Sequence, residues 1–269
     1  MERGAGAVKW EVGRWTKLLL IATRGVKQPK MKKPDNWSMD ALSEHLDAGH
    51  QNCYAFFANC PTEFEKLHII DDTFRKLVAT IEVPRLNISP LPVVPLLLLR
   101  AHASFVSASH LVMCGQLPEA YMVLRACIET SLYAHHISLH PGDEKIWLER
   151  DNNPVAMKTF RKIFGNVSAM VKELATMNNT ISEAAQTIYD HTIRMGGHPN
   201  PAMVLSNYFQ EGAEIGINYL TPQGEYFEAC NLACGRTGMT SLLIFRQIYS
   251  TEFDVAAKAA GLGKLNGKL

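Results

Sequence analysis

Much of what would identify an enzyme at first reading is missing from this chain. There is no Gly-rich phosphate loop, no serine-nucleophile elbow and no dinucleotide fingerprint, so the common nucleotide and hydrolase signatures do not apply. Strand-helix alternation is also missing, which argues against an α/β enzyme. No repeat of fixed period appears. The six cysteines, at 53, 60, 114, 127, 230 and 234, form no Cys-x-x-Cys pair, which speaks against a zinc ribbon or a disulfide scaffold. They read as reduced, mostly buried thiols of a cytoplasmic protein. The apolar core of Lys17–Ile21 is too short to span a bilayer, and no membrane attachment is expected.

Net charge is nearly absent too, at +1 for 269 residues, but it is unevenly spread. Residues 1–33 carry nine Lys/Arg against two Asp/Glu, while the rest carries 18 against 24. A net-acidic body argues against broad, non-specific nucleic-acid binding by the folded part and leaves open a small basic pocket. Residues 1–33 read as a disordered basic arm or an over-extended start, Met31 being a natural place for the chain to begin. Residues 34–258 read as a single helical domain and 259–269 as a flexible tail.

What is present is helical. Apolar residues make up 47% of the chain, enough for a sizeable core. Ser38 is placed to cap a helix whose stripe is Leu42, Leu46, Tyr54 and Phe57. Thr62 and Glu65 are spaced as a capping box for a second, with Phe64, Leu67, Ile70, Phe74, Leu77, Val78 and Ile81 at a period near 3.6. Pro95–Cys114 and Pro118–Leu139, joined around Gly115, read as the central antiparallel pair, apolar on nearly every face. Short helices follow around Trp147, over Pro154–Phe164 and over Ser168–Met177. Thr180 and Glu183 form another capping box, opening a helix that ends at Gly196-Gly197, a left-handed C-terminal cap. A small β-hairpin is expected near 203–220, then one long helix from about Pro222 to Phe253 with a small-residue seam at Cys230, Cys234, Gly235 and Gly238. The fold class is therefore all-α, a bundle on a central helix pair.

The ionisable residues are informative where they are out of place. Arg100, Arg125 and Glu129 fall in the apolar central helices, where unpaired charge costs several kcal/mol, by order of magnitude. Arg125 and Glu129, one turn apart, are spaced to pair. They form either a buried strut or the wall of a pocket in which Arg125 offers donors to an anion. Asp190, His191, Arg194 and His198 gather within nine residues at the end of the Thr180 helix, followed by Pro-Asn-Pro with Asn200. His198 suits either a helix-end cap or a catalytic role. His136 and His140 are spaced as a metal pair but have no acidic partner on their own helix face. A histidine-rich last turn is also what a helix dipole favours, so no metal and no cofactor are expected.

The run Arg125-Ala-Cys-Ile-Glu129-Thr-Ser-Leu-Tyr133, the Trp147 turn and Tyr189-Asp190 with Gly197-His198-Pro199-Asn200-Pro201 resemble a family of uncharacterised bacterial helical proteins. That family is similar in layout to the HEPN superfamily, the all-α domains of many toxin and phage-defence ribonucleases. The resemblance covers roughly Val94–Tyr249. It implies a metal-independent ribonuclease acting as a homodimer, with RNA or a nucleotide as ligand and an antitoxin or other protein as partner. Arg194 and His198 match the catalytic pair, Glu129 and Asp190 are placed to orient it, and Arg125, Arg100, His191 and Asn200 would bind ligand. Three residues separate Arg194 from His198, where those nucleases have four to six, and Met195 stands where they commonly carry a polar group. The alternatives are a non-catalytic module that binds an anion or a protein, or a structural scaffold.

Overall fold

A computed structural model describes residues 33–81, 92–197, 201, 205, 207–212 and 214–265. Residues 1–32 of the basic arm, His198 and Asn200 lie outside the described residues. Among the described residues ten α-helices run in order: α1 Ala41–Asn59, α2 Pro61–Thr80, α3 Val93–Cys114, α4 Leu117–Leu139, α5 Asp143–Leu148, α6 Pro154–Phe164, α7 Val167–Met177, α8 Asn179–Thr192, α9 Glu225–Ile248 and α10 Ser250–Ala260. The only sheet among the described residues is the hairpin of β1 Tyr208–Glu211 and β2 Glu214–Ile217, antiparallel with Phe209 opposite Gly216. The molecule is an all-α bundle.

α3 and α4 are the antiparallel centre, and α9 packs across both. Phe105 of α3, Leu124 and Ile128 of α4, and Leu242 and Phe245 of α9 are fully buried. The seam on α9 works as its composition implies. A Cβ on Gly238 would sit 2.5 Å from the Phe105 ring and 2.8 Å from Ile70, so only glycine lets α9 approach this closely. α3 is long and apolar enough to cross a membrane by length and composition. Its Leu97, Leu98, Ala101, Phe105 and Ala108 are nevertheless buried among α-helices, as in a core helix. α7 and α8 cover the other side of α4.

Several local expectations are corrected. α1 is capped by Asp40, whose carboxylate accepts from the amides of Leu42 and Ser43 at 3.0 Å, and Ser38 has a positive φ of 66°. The apolar stripe of α1 faces out: Leu42, Leu46, Tyr54 and Phe57 are exposed, while Ser43, Gly49 and Phe56 face in. The small inner residues let α1 lie close to α3, with Gly49 against Cys114. Neither expected capping box forms. α2 begins directly at Pro61, and α8 is capped by Asn178 accepting from Ile181 N at 3.1 Å. The long C-terminal helix breaks at Tyr249 into α9 and α10. Beyond α10, Leu262 and Leu265 are buried in a 3₁₀ turn, so the chain is anchored through Leu265 where a flexible tail was expected.

Gly196 also has a different role from the expected one. α8 ends in a π-helical turn, Ile193–Gly197, not in a left-handed cap. A Cβ on Gly196 would lie 2.7 Å from the Tyr121 Cβ and 2.8 Å from the Pro118 carbonyl. The glycine is required for the π turn to sit flush on α4.

Candidate functional site

One face of α4 carries a polar stripe of Tyr121, Arg125, Glu129, Tyr133 and His136, continued by His140 at the C-cap. Each is three or four residues from the next, so all point to one side of the helix. α7, α8 and the π turn pack on this side of the core. The stripe spans about 28 Å at the rise of an α-helix.

At its N-terminal part, Arg125 Nε donates to Glu129 Oε1 at 2.8 Å. Its guanidinium lies 5.5 Å from the centre of the Tyr189 ring of α8, with Nη2 3.5 Å from the Tyr189 hydroxyl. The two side chains are 28% and 23% exposed, so the pair is sheltered but reachable from solvent. Burial works against the charge on Arg125, but Glu129 and Tyr189 outweigh it and hold the guanidinium protonated. Burial, reinforced by Glu129, pushes the Tyr133 phenol up to about 12, and its hydroxyl donates to the Phe164 carbonyl of α6 at 2.9 Å.

The expected site residues divide. Arg125 and Glu129 are joined as their spacing implied. His191 comes to the same face: its Nε2 lies 3.2 Å from the Tyr121 hydroxyl, with the rings edge to face. Burial lowers the His191 pKa, and the nearby Arg194 charge lowers it further. Arg194 is exposed on the π turn. Asp190 is exposed and accepts from Gln186 at 2.9 Å. Arg100 is a correction: it is exposed, and it lines a cleft on the α2–α3 side with Arg75 and His102, not the α4–α8 face. α3 is buried on one side only at that position, which is why its arginine escapes the core.

At the other end of the stripe the structure adds contacts that lie beyond the reach of one helix. His136 and His140 do have acidic partners, supplied by other elements. Glu173 of α7 meets both, and Asp143 at the start of α5 meets His136. Burial opposes ionisation of Glu173, but the two histidine bonds outweigh it and hold its carboxyl below the usual range. Nothing in the spacing of Glu173, more than thirty residues downstream, signals this contact. Among the described residues, Cys53, His110 and Cys114 form a second group of metal-ligating type between α1 and α3.

Comparison with models of known protein families, with curated proteins and with solved structures gives no match.

Proposed function

We propose that the protein binds RNA through phosphate on the face shared by α4 and α8, and cleaves it without metal in the manner of HEPN ribonucleases. The observation that supports this reading is the placement of Arg125. Glu129 and the Tyr189 ring fix its guanidinium, which stays reachable from solvent, on the same side of α4 as the α8 end and its π turn, where His191 and Arg194 lie. π turns inside helices are frequent at functional sites. A held arginine loses little entropy on meeting a phosphate and offers it a planar fork of donors.

In this reading His198 removes the proton of a ribose 2′-hydroxyl, whose oxygen attacks the adjacent phosphorus while the P–O5′ bond breaks and the departing 5′-oxygen takes a proton from water. Arg194 and Arg125 stabilise charge on the non-bridging oxygens, and Glu129 keeps Arg125 in place. A homodimer would bring two such faces together in the cytoplasm, as in bacterial toxin and phage-defence systems.

The test is cleavage of a labelled RNA by the full chain in chelator, or growth arrest on induction. Arg194→Ala and His198→Ala should keep the helical circular dichroism and lose activity. Undiminished cleavage in both variants would sink the proposal. A second reading is favoured by the Arg125–Glu129 pair lying within one helix, as a brace would. If the chain does not cleave but nucleotides raise its Tm and Arg125→Ala removes the shift, it is an anion-binding module. If no ligand shifts Tm while Glu129→Ala lowers it strongly, the stripe is a scaffold.

A further inference from the structure

The C-terminal end of the α4 stripe has the build of a metal site. His136 and His140, four residues apart, lie on one side of the last turns of α4 with their rings 4.6 Å apart, and α7 lays Glu173 against both. His136 Nδ1 is 2.7 Å from Glu173 Oε2, and His140 Nε2 is 2.5 Å from Glu173 Oε1. Three ligand atoms from two helices thus meet, all within 4.8 Å of one another. A tetrahedral zinc ion with bonds of about 2.0–2.1 Å holds its donors about 3.3 Å apart. The cluster can therefore take such an ion with shifts of about an ångström.

The surroundings select among the ring nitrogens. The remaining nitrogen of His136, Nε2, lies 2.9 Å from Asp143 Oδ2. With Asp143 accepting the Nε2 proton, Nδ1 keeps its lone pair and faces the cluster. This is the carboxylate–histidine arrangement that orients metal ligands. Asp143 opens α5 only three residues beyond His140, so the turn that ends α4 builds both the ligand and its support. Two imidazoles and one carboxylate suit zinc and its neighbours, whereas magnesium and calcium prefer all-oxygen sites. His140 is 49% exposed, so a fourth position faces solvent.

We propose that His136 Nδ1, His140 Nε2 and the Glu173 carboxylate bind one divalent transition-metal ion of the zinc class, with Asp143 orienting His136 and water in the fourth position. The ion would staple the end of α4 to α7. Its place is about three turns along α4 from Arg125, and the proposal rests on no part of the RNA reading, whose assays are run in chelator.

The experiment uses the full chain, stripped with chelator, dialysed and titrated with Zn²⁺ by calorimetry, with Tm followed in parallel. One ion per chain and a raised Tm are expected, with no Tm shift from Mg²⁺ or Ca²⁺. His140→Ala and Glu173→Gln should abolish the zinc effect, and Asp143→Asn should weaken affinity about 10–100-fold. Cys53→Ser should leave binding unchanged, which separates this site from the Cys53, His110 and Cys114 group. In the wild type, Co²⁺ should give the intense visible bands of four-coordination and be displaced by zinc, a readout that needs no variant to fold. No zinc binding by the wild type, equal binding by His140→Ala and Glu173→Gln, or a weak six-coordinate cobalt spectrum would each overturn the proposal. In the first case the cluster is a set of histidine–carboxylate ion pairs.

Discussion

At the scale of single residues, Gly196 and His191 show how closely the π turn is fitted to α4. Gly196→Ala would drive a Cβ into the Tyr121 side chain and the Pro118 carbonyl, and the backbone atom cannot rotate away. Overpacking of this kind costs about 1–3 kcal/mol, read as a lowered urea midpoint. Gly142 makes the contrast. Its φ is −65°, a Cβ there meets nothing within 4 Å, and Gly142→Ala should stabilise by about 0.4–1 kcal/mol. His191 carries a pH prediction. Burial, then Arg194, depresses its folded pKa below the unfolded value of about 6.5. The unfolded chain then binds the proton more readily, so His191 costs nothing well above pH 6.5 and destabilises the fold increasingly as pH falls below it. An NMR titration should place the His191 midpoint below that of a free histidine, and Arg194→Gln should raise it. An unchanged midpoint would show that burial alone sets the shift.

At the scale of elements, a helix's own periodicity fixes which residues share a face, but not what that face meets. On α2 the two agree, since Leu67, Ile70, Phe74, Leu77 and Val78 are the buried stripe their spacing implies. On α1 they disagree. Its larger apolar residues are exposed, and the small side carrying Ser43 and Gly49 is the one that fits against α3. The C-terminal turn departs from its local pattern for a related reason. Glycine and lysine at 261–264 look like fraying, yet Leu262 and Leu265 reach back into the core. Leu265→Ala should therefore cost about 2–5 kcal/mol in denaturant unfolding, as for other buried leucines. A frayed end would give a change within about 0.5 kcal/mol.

At the scale of the whole molecule, the thiols report on integrity of the bundle. Cys127 and Cys234 are fully buried between α3, α4 and α9, and burial pushes both up to about 12. Cys230 is raised well above its ordinary value by burial, and Cys114, by burial and by Cys53, reaches about 12. Only Cys53 and Cys60 are partly open. An alkylating reagent at neutral pH should label those two in the native protein and the other four only on unfolding, since the thiolate is the nucleophile. Mass spectrometry across a urea series checks this. Labelling of Cys127 or Cys234 at the rate of Cys53 in native buffer would mean that the central helices open readily.

Most of the helical layout, the antiparallel centre and the common face of the α4 stripe were legible in the chain. Local spacing and a turn of 3.6 residues suffice for all three, and the Arg125–Glu129 pair is internal to one helix. The partners came from helix packing: Tyr189 beside Arg125, Glu173 and Asp143 beside the histidines, solvent beside Arg100 and beside the apolar side of α1. Those choices depend on how helices distant in the chain fit against one another. That fit is set by side-chain volume and by close approaches such as Gly196 and Gly238, which no local pattern contains.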